Sequence, residues 1–176
     1  MPFVTVPIAY LYAEDDYWQK YMTVCEEIGW PKSSLISHWL NSYCSVNKLW
    51  LQEAAELDAI ARGYAGSKGE YFKVCRDWKE IRPYSGARPV FANNPLATIP
   101  KVSISKTTRR SYHSIRASAV NAAFFRLVCE IEADNKQNVL SRIAVWYVTK
   151  FWERSYQWQL NANEQLAFSP DIGPEL

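Results

Sequence analysis

The feature that most constrains the fold is a weak internal repeat. Two stretches offset by 104 residues spell one succession: an alternating apolar segment, a Val-Cys-Glu segment, a polar turn with Lys, and an aromatic segment. Val24, Cys25, Glu26, Lys32, Ser37 and Tyr43 align without a gap on Val128, Cys129, Glu130, Lys136, Ser141 and Tyr147. Similar residues keep the same register: Leu11 with Ile115, Tyr21 with Phe125, Leu35 with Val139, and Ile36 with Leu140. Such a repeat decides the architecture, because a unit too small to bury its own apolar face buries it against its copy.

In the first copy, residues 4–13 are rich in β-branched and aromatic side chains and predict a strand. Pro7 has no N–H to donate, so that strand belongs at an edge or in a two-stranded ribbon. Glu14, Asp15 and Asp16 supply cap and first-turn acids for a helix from about Asp16 to Ile28, with Trp18, Tyr21, Val24, Cys25 and Ile28 on its apolar face. Gly29 closes that helix, and Pro31, Ser33 and Ser34 open a second, predicted to run past Trp50 toward Ala61. Gly63, Gly66 and Gly69 end it without the spacing of a phosphate-binding loop. A short helix over about Glu70 to Ile81 follows. From Pro83 to Pro100, four prolines and Asn93-Asn94 break regular structure.

The second copy predicts a strand near Arg110 to Arg116, a helix from about Ser118 to Glu132, a turn at Asp134 to Asn138, and a long helix to about Leu160. The chain thus divides into a first unit with an extended second helix (1–62), a helical insertion with a Pro-rich linker (63–100), a second unit (101–168) and a tail (169–176).

No run of about 18 apolar residues occurs, and Met1 to Tyr12 lacks the basic start and small-residue cleavage site of a signal peptide. The expectation is a soluble cytoplasmic protein without a membrane partner. Cys25, Cys44, Cys75 and Cys129 form no CxxC pair and predict buried reduced thiols. His38 and His113 are too few and too far apart for a metal site, and no cofactor motif is present. No nucleophile elbow, zincin or deaminase signature occurs, and Asp15-Asp16 and Glu26-Glu27 sit where helix-start and solvent-face acids belong, so catalysis is not expected.

The net charge of +2 conceals an uneven distribution. Residues 1–60 carry eight acids and three bases, whereas Lys101, Lys106, Arg109, Arg110, Arg116 and Arg126 fall in a stretch with no acid. That asymmetry fits either a surface for a polyanion or a solvated basic loop.

A strand, a helix, a tight polar turn and a second helix within about 40 residues, with Ile28-Gly29-Trp30-Pro31-Lys32-Ser33-Ser34-Leu35-Ile36-Ser37 as the turn, resembles the ribbon-helix-helix family of DNA-binding proteins. The resemblance covers about Val4 to Tyr43 and again Arg109 to Tyr147. It implies a mainly α protein in which two units in one chain pair their strands into a short antiparallel ribbon, a tandem pseudo-dimer. It further implies a cytoplasmic, nucleoid-associated regulator of transcription that inserts this ribbon into the major groove of double-stranded DNA. Some relaxosome accessory proteins of mobile elements look like this, and assembly as a homodimer or higher oligomer on DNA is a further possibility.

Under this resemblance the strand period of two puts Arg110, Tyr112, Ser114 and Arg116 on one face as base readers, with Ser111, His113, Ile115 and Ala117 on the other. In the first strand the matching set is Val6, Ile8, Tyr10 and Tyr12. Tyr10 and Tyr12 either contact bases or pack as ordinary interface residues. Phosphate contacts fall to the start of each second helix, at Lys32, Ser33 and Ser34 and at Lys136, Gln137 and Asn138, joined by Lys106 and Arg109. Ser33 and Asn138 could equally be plain helix caps. The second turn has Ala133 and Asp134 in place of the glycine. His38 and Arg142, one turn into the second helices, are expected to face solvent.

The rival reading is a helical protein-interaction module without DNA binding. Trp146, Trp152 and Trp158 with Tyr147, Phe151 and Tyr156 would then face a partner or a second copy, unless they form the core.

Overall fold

The computed structural model describes residues 3–8, 10–29, 31–102, 108–111 and 115–150. The elements run β1 (Phe3–Val6), β2 (Tyr10–Ala13), α1 (Asp15–Ile28), α2 (Lys32–Val46), α3 (Lys48–Ala61), α4 (Lys68–Arg76), β3 (Thr108–Ser111), β4 (Ile115–Ser118) and α5 (Ala119–Glu132). A sixth helix, α6, occupies 136–150. The protein is mainly helical, and its strands form two short antiparallel pairs, β1 with β4 and β2 with β3.

The single strand expected over 4–13 is two strands. Pro7 cannot donate to a ladder, and the backbone turns tightly around it, the Ile8 N–H donating to the Val6 carbonyl at 2.8 Å. Both ladders nevertheless share one register: Phe3 pairs with Ser118, Val6 with Ile115, Tyr10 with Ser111 and Ala13 with Thr108, partner numbers always adding to 121.

Positions 104 residues apart do corresponding work. α1 ends at Gly29 (φ 72°) and α5 at Ala133 (φ 50°), both left-handed. Gly29 adopts that conformation without steric cost, whereas Ala133 brings its Cβ against the backbone. The Ser37 hydroxyl accepts from the Arg116 N–H (3.0 Å), and the Ser141 hydroxyl accepts from the Tyr12 N–H (2.7 Å). α2 therefore holds β4, and α6 holds β2.

The main core gathers α1, α2, α5 and α6 under the ribbon, with Leu11, Ile36, Trp39, Leu40, Phe125 and Ile143 among its buried members. All four cysteines are free and buried, and burial pushes the Cys44 and Cys129 thiols upward, which keeps them protonated.

Two helix boundaries depart from expectation. The long second helix is interrupted at Asn47 (φ −103°, ψ 20°), whose Nδ2 donates to the Tyr43 carbonyl at 2.9 Å, offering the backbone an alternative to continued helix. α4 stops at Arg76 rather than near Ile81, because Trp78 takes φ 54° and the Lys79 N–H bonds back to the Val74 carbonyl at 3.0 Å.

The Pro-rich segment has no helix or strand, yet it is fastened to the core. Leu96 and Ile99 are buried, and their carbonyls accept from Arg142 Nη2 at 2.8 and 2.9 Å. Trp50 Nε1 donates to the Ala92 carbonyl (2.8 Å), and Arg88 Nη2 donates to the end carbonyls of α5 at Glu130 and Ile131. Arg142 is thus buried rather than solvent-facing, its Nη1 on Glu132 at 2.7 Å.

Candidate nucleic-acid interface

The ribbon's outer face follows from burial and register. Val6 and Ile8 are buried, and so are Leu11 and Ala13, so the inward period slips by one residue between Ile8 and Leu11. The expected outward set Val6, Ile8, Tyr10 and Tyr12 is therefore corrected: Val6 and Ile8 face the core, and Tyr10 and Tyr12 are half-buried. A slip of one residue exchanges the faces of a strand. In β4, Ile115 and Ala117 are buried and Arg116 is exposed, as the alternation requires.

Arg116 is set firmly. Its N–H donates to Ser37, its carbonyl accepts from Asn41 Nδ2 at 3.3 Å, and Thr5, also exposed, lies across from it in the ladder. Its backbone is thereby tied to α2 while its side chain projects outward. In β3, Arg109 pairs with Tyr12, and Arg110 pairs with Leu11, which is fully buried. Tyr10 and Tyr12 meet edge to face, centroids 5.8 Å apart, a geometry that stiffens both rings. Tyr112, Ser114 and Lys106 lie outside the described residues, as do Trp152, Trp158, Phe151 and Tyr156.

The starts of α2 and α6 flank the ribbon through Ser37 and Ser141. α2 begins after Pro31 with no side-chain cap, and the Ser34 N–H turns back to the Pro31 carbonyl at 3.0 Å; Ser34 is exposed and Ser33 half-buried. Ser33 is therefore not the cap. At α6 the cap is Asn135 rather than Asn138: its Oδ1 accepts from the Asn138 N–H at 2.9 Å. Asp134 is engaged locally, accepting from the Asn135 N–H (2.8 Å) and from Asn138 Nδ2 (3.1 Å). The Lys136 ammonium sits 5.2 Å from the centre of the Trp78 ring, which also carries the Arg126 guanidinium at 5.0 Å. Two cations are thus held beside the first turn of α6.

His38 is half-buried between α2 and α6, with Nε2 at 3.2 Å from both the Tyr147 hydroxyl and Ser42 Oγ. Burial lowers its pKa to about 4, so at neutral pH it is an uncharged packing residue.

A second polar centre, between α3 and α4, was not visible in the sequence. Asp58, fully buried, accepts from Arg62 Nε (2.9 Å), the Tyr71 hydroxyl (2.7 Å) and the Tyr84 hydroxyl (2.6 Å). Arg62 Nη1 continues to the Arg82 carbonyl at 2.9 Å, and Nη2 lies 3.5 Å from Glu130. Every atom of the carboxylate is committed, which suits a structural anchor rather than a reacting group. The signal was there only as Asp58 and Arg62 at helical spacing four.

Among the described residues no group of three or more His, Cys, Asp or Glu is placed to hold a metal ion, and no helix is long and apolar enough to cross a membrane. No protein family, characterised protein or solved structure matches this chain.

Proposed function

We propose that the protein binds double-stranded DNA sequence-specifically by laying its two-stranded ribbon in the major groove, and that it acts as a regulator of transcription. The observation that carries this reading is the shared register of the two ladders together with the reciprocal Ser37 and Ser141 brackets. With a repeat offset of 104, one register adding to 121 gives both ladders a common centre, between the β1–β4 pair and the β2–β3 pair. Two tandem ribbon-helix-helix-like units closing on each other would produce that centre. A two-stranded ribbon fits the B-DNA major groove, which is about 12 Å wide.

Arg116 and Thr5 are the readers best supported at one end of the ribbon. At the other end Arg109 stands opposite the partly exposed Tyr12 in the ladder and Arg110 opposite the fully buried Leu11, and this register position supports Arg109 as the reader there. Arg109 thus moves from phosphate contact to base reader in this reading. Lys32 and Ser33 at the start of α2, and Lys136 and Gln137 at α6, take phosphates through backbone N–H groups and charge, and Ser34 through its exposed hydroxyl. A place in the relaxosome of a mobile element uses the same surface.

The test is enrichment from a random DNA pool at several salt concentrations, with Arg116→Ala and Arg109→Ala variants alongside. Enrichment of one sequence, weakened by rising salt and degraded at distinct positions by each variant, is the expected result. Absence of salt-dependent binding overturns the reading. One observation favours the rival interaction module: α3 and the end of α2 expose Val46 (57%), Leu49 (77%), Leu57 (47%) and Ile60 (51%) along one side. That face would dock a partner or a second copy.

A further inference from the structure

A cavity of about 290 Å³ lies between α3, α4 and α5, away from the ribbon. Its origin is in the residue sizes: Ala55 and Ala59 of α3 and Ala123 of α5 border it, and they leave the space that larger side chains would fill. α4 does not close the gap, because its distance from α3 is fixed by the hydrogen bond from Tyr71 to buried Asp58 (2.7 Å) and by Arg82 bridging Gly63 and Glu70.

The chemistry inside is apolar. Tyr71, Phe72 and Phe124 present rings, and the Tyr71 hydroxyl is already committed to Asp58. Cys75 is buried in the wall, and burial holds its thiol neutral, with a pKa raised to about 11. Polar groups occur at the rim, where Lys68 and Glu56 pair at 3.0 Å with side chains 59% and 58% exposed. An exposed pair of this kind is worth little and offers no barrier to entry. An apolar cavity of about 150 Å³ stays dry and accepts benzene, so this one has room for two fused rings.

We propose that this cavity is a binding site for one small, uncharged aromatic molecule of roughly naphthalene size, stacked among Tyr71, Phe72 and Phe124. Size, a ring-lined surface and walls whose polar members, Gln52, Glu56 and Lys68, are exposed side chains together select that class over charged or sugar-like ligands. The site is independent of the DNA-binding reading.

The experiment is fluorine NMR of 1-fluoronaphthalene titrated with the full chain, with unlabelled naphthalene as competitor. Two variants, Ala123→Leu and Ala55→Leu, each place an isobutyl group in the cavity from a different helix, and circular dichroism melts establish which of them fold. Saturable one-site binding by the wild type, weakened at least tenfold in every folded variant, is expected. Should Ala123→Leu fail to fold, Ala55→Leu, at a half-buried position, decides the matter. No saturable binding up to the probe's solubility, or equal binding by a folded variant, overturns the proposal.

Discussion

The two helix ends at Gly29 and Ala133 make opposite demands on the same backbone conformation. Both residues follow an amphipathic helix, both are left-handed, and both return an N–H to a carbonyl of the last turn, at Cys25 and Cys129 respectively. A Cβ added at Gly29 would meet nothing within 4 Å, so the cost of Gly29→Ala is purely conformational. A left-handed L-residue costs about 1–2 kcal/mol, and the flexibility that glycine loses on folding returns about 0.4–1 kcal/mol of that. Gly29→Ala should therefore destabilise by about 1 kcal/mol, and Ala133→Gly should stabilise by about the same amount. For a chain of this size about 1 kcal/mol corresponds to about 2–4 °C in midpoint. Urea denaturation of the two single variants and the double variant measures both, with an unchanged m-value as the sign that stability moved without a change in the surface exposed on unfolding. The sites are on different helices, so the double variant should return to the wild-type midpoint. A neutral or destabilising Ala133→Gly at constant m would refute the equivalence of the two turns.

Three other perturbations probe the anchors. Asp58→Ala leaves the Arg62 guanidinium buried with Glu130 at 3.5 Å and two tyrosine hydroxyls without their acceptor, and should cost about 3–5 kcal/mol by chemical denaturation. Arg142→Ala frees the Leu96 and Ile99 carbonyls and leaves the Glu132 carboxylate without its cation, with the Asn94 amide at 3.2 Å; it should destabilise by about 3 kcal/mol and open the 83–100 segment to limited proteolysis, whereas retained protection would contradict its role as a fastener. His38 is held at a pKa of about 4 in the fold against 6.5 in the free side chain, so the unfolded chain binds the proton more tightly. Stability should fall as pH drops from about 6.5 to about 4, by roughly 3 kcal/mol in total from this group, and His38→Gln should flatten that part of the profile.

How much of this was legible in the sequence depends on whether a local residue carried the signal. α1 and α5 were legible because their apolar faces repeat at helical spacing and because Gly29 and Ser118 mark their ends; Ser118 indeed accepts from the Asn121 N–H at 3.1 Å. Ser37 and Ser141 already stood out as matched serines, and they turn out to hold β4 and β2. The helix break at Asn47 was hidden, since Ser-Val-Asn-Lys-Leu contains neither Gly nor Pro and the break depends on one side-chain amide. Trp78 is a bulky residue in a conformation that local propensity disfavours, and the cations over its ring come from α5 and α6, far along the chain. Burial of Arg142 likewise depends on carbonyls more than 40 positions away. The facing of the ribbon turned on a slip of one residue near Pro7, which strict alternation cannot anticipate.

The most direct test of the central claim, a ribbon in the major groove, is methylation interference on the enriched DNA site with wild-type, Arg116→Ala and Arg109→Ala protein. Arginine reads guanine at O6 and N7 in that groove. The account expects methylation of N7 at two guanines, one toward each end of the ribbon, to block the wild type, with each variant losing sensitivity at one of them. Interference confined to minor-groove adenine N3, or identical patterns for all three proteins, would contradict it.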